Sequence, residues 1–166
     1  MTSRDEPLTR ALESSASDLL AYLERRVGAD DAPDLLGETM VVAWRRVKEL
    51  PPDSERARMW LFGIARGTLL NHSRGQRRRW ALADRIRLQV RESATAPPAD
   101  EGVEVRDAID RLEPDLAELV RLVHWERLSV ADAADLLGIP ASTARGRYQR
   151  AKDRLRAALR QEAPLP

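Results

Sequence analysis

The chain has no cysteine. That excludes disulfides, thiolate zinc sites and thiol-based redox sensing. Its histidines are two, His72 and His124, too few for a histidine metal cluster. Aromatic residues are only 4 % of the 166 positions, a scarcity that suits small helical cores built on Leu, Ala and Val. No stretch reaches about 18 apolar residues, the length at which a membrane span becomes a candidate. "MTSRDEPLTR" has no apolar core of a signal peptide. No strand-like alternation persists anywhere, and no nucleophile, carboxylate cluster or histidine pair stands out as a catalytic constellation. The expectation is a soluble, cytoplasmic, all-α protein without cofactor or metal, of a length that allows one ordinary domain or two small ones.

Net charge is also nearly absent, with 28 Lys+Arg against 27 Asp+Glu, yet the charges are segregated. Residues 1–50 hold 7 basic and 10 acidic side chains, residues 51–91 hold 10 and 3, residues 92–140 hold 4 and 12, and residues 141–160 hold 7 and 1. Two basic blocks therefore alternate with two acidic ones. A basic stripe is the electrostatic footprint of phosphate binding. Two of them point to two separate contacts with nucleic acid, and the acidic blocks can attract a basic protein.

The last basic block has an internal design. In "LLGIPASTARGRYQRAKDRLR" (Leu136 to Arg156), Gly138 suits a left-handed helix terminus. Pro140 cannot continue the first helix but fits the first turn of the next. Ala144, Tyr148, Ala151 and Leu155 then form one apolar stripe at helical spacing. Upstream, Val130, Ala133, Ala134 and Leu137 form another, with Ser129 as its N-cap and Asp132 three residues on. Two short helices around a Gly-containing turn, the second basic on its free face, form the signature of a helix-turn-helix that reads DNA.

Helical periodicity organises the rest. A first helix is expected from a cap at Ser15 or Ser17 through Leu19, Leu20, Leu23 and Val27 to Gly28. A second starts near Ala32-Pro33 and runs through Leu36, Met40, Ala43 and Val47 until Pro51-Pro52. A third starts near Ser54 and continues through Leu61, Ile64, Ala65 and Leu69 into "RGQRRR". "RESATAPPADEGV" (Arg91 to Val103) has the composition of a flexible linker. Val105, Ile109 and Leu112 open a further helix, interrupted at Pro114 before an apolar run from Leu116 to Val123. The reading is two small helical domains, 8–90 and 104–160, joined by the linker 91–103.

Three segments in this order resemble a known family. "DLLGETMVVAWRRV" (Asp34 to Val47), "MWLFGIARGTLLNHSRGQRRR" (Met59 to Arg79) and "AIDRLEPDLAELVRLVHWERLSVADAADLLGIPASTARGRYQRAKDRLRAAL" (Ala108 to Leu159) look like an extracytoplasmic-function (ECF, group IV) sigma factor of the sigma-70 family of bacterial RNA polymerase. The first two resemble conserved region 2 and the third resembles region 4.

The resemblance implies partners and roles. Core RNA polymerase would be met at its β′ clamp helices and β flap, promoter DNA at the −10 and −35 elements, and an anti-sigma protein would cover these faces. Asp34, Glu38, Val41 and Arg45 fall on the polymerase-docking helix; Leu35, Met40 and Trp44 are expected in the core. The loop "LPPDSERA" (Leu50 to Ala57) corresponds to the base-capturing loop. Arg58, Trp60, Arg66, Asn71, Arg74, Arg77 and Arg78 correspond to the −10 element reader, with Trp60 expected in the core and Arg77, Arg78 and Arg79 as backbone contacts. In the helix-turn-helix, Ser142, Thr143, Arg145, Gly146 and Gln149 face the −35 groove, Arg145 against a base. Arg147, Arg150 and Lys152 are expected on phosphates. Three positions depart from the family pattern: Gly37 where Gln is common, Gly67 where Asn is common, and Asn71 where Asp is common. Gly67 costs about 1 kcal/mol in a helix interior relative to Ala.

The function expected is therefore a promoter-specificity factor without an active site. The alternative is a stand-alone helix-turn-helix regulator with an N-terminal sensing or dimerisation domain, which has no need for the basic block at 56–91. Mild proteolysis of the free chain is expected to cut between Arg85 and Arg106 and release two folded helical fragments; resistance there, with melting as one unit, would refute the two-domain reading.

Overall fold

In this computed structural model the backbone is described for residues 5–86 and 103–162, and the side chains for 6–78 and 105–160. The expected linker therefore falls, up to Gly102, outside the described residues. Among those described, all regular structure is helical. The chain divides into two compact units, Met1–Glu92 and Ser93–Pro166.

The first unit is a three-helix assembly of α1 (Asp5–Val27), α2 (Ala32–Arg45) and α3 (Ser54–Ile86), each packed on the other two. α1 begins well before the cap expected at Ser15 or Ser17. Leu8, Leu12, Ser15, Leu19, Tyr22 and Leu23 form one buried stripe. Ser15 is small enough to sit inside that stripe, so it interrupts neither the helix nor its packing. Gly28, at φ 87, ends α1 in the left-handed conformation that a side chain disfavours. Pro33 occupies the first turn of α2, where its missing N–H costs nothing. A short 3-10 turn (Val47–Glu49) and Pro51-Pro52 follow before Asp53 caps α3, accepting a bond from the Arg56 amide at 2.9 Å.

A column of rings and cations ties α1 to α3. The Arg26 guanidinium lies 3.8 Å from the centroid of the Tyr22 ring. Tyr22 meets Phe62 edge to face, with centroids 5.4 Å apart and planes at 80°. The Arg58 guanidinium covers Phe62 at 4.7 Å and pairs with Asp18 at 3.0 Å. Tyr22 and Phe62 are the two largest fully buried side chains among the described residues, so large rings sit where α1 meets α3.

The second unit holds α4 (Val103–Asp110), α5 (Pro114–His124), α6 (Val130–Leu137) and α7 (Ala141–Glu162). α7 packs on all three of the others. Ile109, Leu116, Ala117, Val120 and Ala151 form a core cluster, with Leu112, Trp125 and Leu155 packed against it. Ser129 caps α6 as expected, its Oγ accepting from the Asp132 amide at 3.0 Å. Gly138 has φ 67 and ψ 35, and the Ile139 amide reaches back to the Ala134 carbonyl at 3.0 Å. Both apolar stripes of the helix-turn-helix face inward: Ala133, Ala134, Ala144 and Ala151 are fully buried.

Between α5 and α6 the chain turns through a buried Glu126 and then Arg127, whose φ of 56 is the one positive value at a non-glycine residue among those described. A side chain in that region costs on the order of 1 kcal/mol, relieved by glycine in part at the expense of unfolded-state entropy. Arg127→Gly is expected to stabilise the chain by about 0.5 kcal/mol, read as a higher denaturant midpoint with an unchanged slope; destabilisation would mean that the Arg127 side chain contributes more than the strain it imposes.

Candidate nucleic-acid and protein interfaces

α2 buries Ala32, Leu35, Thr39 and Ala43 on one side. The opposite side therefore exposes Asp34, Gly37, Glu38, Val41, Trp44 and Arg45. Trp44, expected in the core, is 41 % exposed, beside Val41 at 48 %. The reason is register. Trp44 follows the buried Ala43 by one residue, a rotation of about 100° around the helix, and lies one turn from Val41. Leu35 is buried as expected and Met40 is half-buried. The face thus has an apolar centre, acidic groups at Asp34 and Glu38, and room at Gly37, where an added Cβ would meet nothing within 4 Å.

Beyond α2, Arg46 donates from Nε to both carboxylate oxygens of Glu49 at 3.1 Å, and its Nη2 bonds Oε2. These bonds hold the exposed Glu49 carboxyl below its ordinary pKa and raise that of Arg46. The clamp fixes the turn that leads into Leu50, Pro51 and Pro52. These residues, with Arg10, Lys48 and Ser54, line an open groove of about 900 Å³ beside the N-terminal half of α1.

Along α3 the residues expected to read the −10 element separate into two groups. Asn71, Arg74, Arg77 and Arg78 are exposed, and Gly63 and Gly67 leave open space on the helix surface before them. Arg66 is half-buried. Arg58 is committed elsewhere, since its side chain is only 20 % exposed and is held by Asp18 and Phe62. Trp60, expected in the core, is half-buried, and its indole N–H is buried without a hydrogen-bond partner among the described residues. The Arg79 side chain lies outside the described residues.

On α7, Ser142, Thr143, Arg145, Gly146, Gln149 and Arg150 are exposed together. Gln149 donates to Asp153 at 3.2 Å, and Arg156 donates to the same Oδ1 at 3.1 Å. Lys152 is half-buried, its ammonium 4.9 Å from the centroid of the Tyr148 ring, whose hydroxyl bonds His124 Nε2 at 3.0 Å. Arg147 is paired with Asp115 at 3.0 Å and Arg154 with Glu113 at 3.1 Å. Both acids lie more than thirty positions upstream, so a reading of α7 alone misses them.

Two family models match the chain. Residues 12–79 match the model for sigma-70 region 2, and residues 102–155 match that for sigma-70, region 4. The chain belongs to the sigma-70 family. Among relatives of this sigma factor, the ECF RNA polymerase sigma factor SigC of Mycobacterium tuberculosis (strain CDC 1551 / Oshkosh) is 33 % identical, over 92 % of this chain and 81 % of the relative. The ECF RNA polymerase sigma factor EcfG of Rhodopseudomonas palustris (strain TIE-1) is also 33 % identical, over 79 % and 72 %. Among solved structures, the sigma factor RpoE in complex with the anti-sigma factor NepR from Bartonella quintana has a TM-score of 0.73 at 25 % identity, covering 95 % of this chain and 99 % of that one. Within the sigma fold, then, the cations of α3 do different work. Arg58→Ala is expected to cost about 1 kcal/mol, a drop of roughly 4–8 °C in melting temperature for a domain of this size, while Arg74→Ala stays within about 0.5 kcal/mol of the parent. Equal melting of the two variants would remove the structural role of Arg58.

Proposed function

We infer that this protein acts as an ECF sigma factor: it joins core RNA polymerase and directs transcription initiation at promoters carrying −35 and −10 elements. The observation that carries the reading is the pair of region matches in chain order, each on a helical unit with an exposed cationic helix face. A stand-alone helix-turn-helix regulator would not need the first of these faces, that of α3. The protein contributes no catalytic group of its own and works in the cytoplasm beside the polymerase. The described helices include none long and apolar enough to cross a membrane.

The two units divide the task between 8–90 and 104–160. In the first, Asp34, Glu38, Val41 and Arg45 dock on the clamp helices, and the exposure of Trp44 adds an apolar anchor of the kind that dominates interface energetics. Asn71, Arg74, Arg77 and Arg78 hold the −10 strand, with Arg66 at the edge, and the groove beside Leu50 to Pro52 suits an unstacked base. In the second, Ser142, Thr143, Arg145, Gly146 and Gln149 face the −35 major groove, where Gly146 allows close approach and Arg145 reads a base. Arg150 and Lys152 meet phosphates. An anti-sigma protein is the regulatory partner, a reading supported by the NepR complex of the similar RpoE.

Charge reversal tests the docking face. Asp34→Arg with Glu38→Arg sets like charges against a basic partner surface, a change that costs several kcal/mol at a contact. Both carboxylates are exposed, so the variant is expected to fold and yet fail to co-purify with core polymerase or support run-off transcription. Undiminished co-purification of the folded double variant would overturn this assignment.

A further inference from the structure

The basic rod of α7 is smaller, electrically, than its sequence suggests. Arg147 and Arg154 are seven positions apart, so they lie two turns apart on the same flank of α7. Each meets an acid at the start of α5: Arg147 pairs with Asp115 at 3.0 Å and Arg154 with Glu113 at 3.1 Å. Glu113 stands at the N-cap of α5 but makes no side-chain cap bond; its carboxylate serves Arg154 instead. The Arg147 side chain is 28 % exposed against 69 % for Asp115, so a phosphate approaching this arginine meets a carboxylate beside it. Arg145 and Arg150 are exposed and have no such partner among the described residues.

Surface ion pairs of this kind contribute little to stability, a median of about 0–1 kcal/mol. Their larger effect is on the charge offered to a polyanion. Each cation that neutralises a phosphate steepens the fall of log K with log[salt] by about 0.9, and this electrostatic term is blind to sequence. Removing arginines from it lowers binding to the many competing sites while leaving the base-reading residues in place. The useful quantity for a promoter-reading protein is that ratio.

We propose that Asp115, seconded by Glu113, is a specificity-determining residue that acts as a built-in phosphate substitute. It occupies Arg147, as Glu113 occupies Arg154, and withholds these arginines from sequence-independent DNA binding. The inference rests on the reading of α7 as a DNA-binding helix.

The test uses the full chain and a 30-base-pair duplex pool of random sequence, with binding measured across a salt series. Asp115→Asn removes the negative charge from an exposed position and leaves the side-chain shape. It is expected to steepen the salt slope by about 0.9 and to tighten binding at 0.1 M salt about eightfold, the effect of one added phosphate contact. Glu113→Gln is expected to act in the same direction through Arg154. The double variant Asp115→Asn/Arg147→Gln is expected to return to the parent slope, and Arg150→Gln to make the slope shallower by about 0.9. Parent-like binding by both Asp115→Asn and Glu113→Gln overturns the inference. So does a raised affinity that persists in the double variant, because the acid would then act by plain repulsion and not through Arg147. If Arg150→Gln also leaves the slope unchanged, the DNA-binding reading of α7 falls, and the inference with it.

Discussion

Alanine at the helix crossings is the constraint on which both units depend. With aromatic volume so scarce, the helices have to come close for their narrow apolar stripes to be covered, and close approach requires small side chains at the contact. Ala32 and Ala43 of α2, Ala57 and Ala65 of α3, and Ala133, Ala134, Ala144 and Ala151 of the helix-turn-helix are all buried. Leucine, isoleucine and valine fill the space between these points, and in the first unit Tyr22 and Phe62 supply the remaining bulk. Interiors built this way leave little room for a larger residue at a crossing, since added methylene groups in a packed core typically cost about 1–3 kcal/mol.

Narrow stripes leave most of each helix surface free, and in this chain the free surface holds the groups proposed to meet polymerase and DNA. α2 presents acids around Val41 and Trp44, α3 presents cations beyond Gly67, and α7 presents an edge of mixed polar and basic groups around Gly146. The cations are not equivalent in any of these places. Arg58 completes a stack on Phe62, Arg46 clamps a turn, Arg147 and Arg154 face carboxylates of α5, and Arg74, Arg77, Arg78, Arg145 and Arg150 stay exposed to solvent. Residue type alone would assign them a single role. The partner within about 4 Å separates the arginines held inside the protein from those left to solvent.

Much of this was legible along the chain because it is local. The Ser129 cap, the left-handed Gly138 and the inward stripe through Ala144 and Ala151 follow from chemistry within a few residues, and so does the start of α3 near Ser54. What escaped was tertiary or a matter of register. Ser15 looks like a cap along the chain, and only the surrounding leucines of a packed stripe reveal it as an interior residue of a longer α1. Trp44, expected in the core, is turned outward by one residue of helical phase. The acids that pair with Arg58 and Arg147, Asp18 and Asp115, lie 40 and 32 positions away, so no local reading shows that these two cations already have partners. Arg127 carries no local sign of its left-handed backbone, since nothing about arginine suggests it.

The short connection between α2 and α3 is restrained at several points. The Arg46–Glu49 fork closes one end, the Asp53 cap closes the other, and Pro51 and Pro52 stand between them with their φ angles fixed by their own rings. A flexible loop gives up conformational entropy when it takes hold of a ligand, at about 1–2 kcal/mol for each residue ordered. Here part of that entropy is already lost on folding of the unit. A ligand entering the adjoining groove therefore meets a wall with less freedom left to lose, and more of each favourable contact survives as binding free energy. The same stiffness limits accommodation: a shape that does not fit cannot be met by rearranging the loop, so any ligand of this groove would be selected by rigidity as much as by the groups that line it.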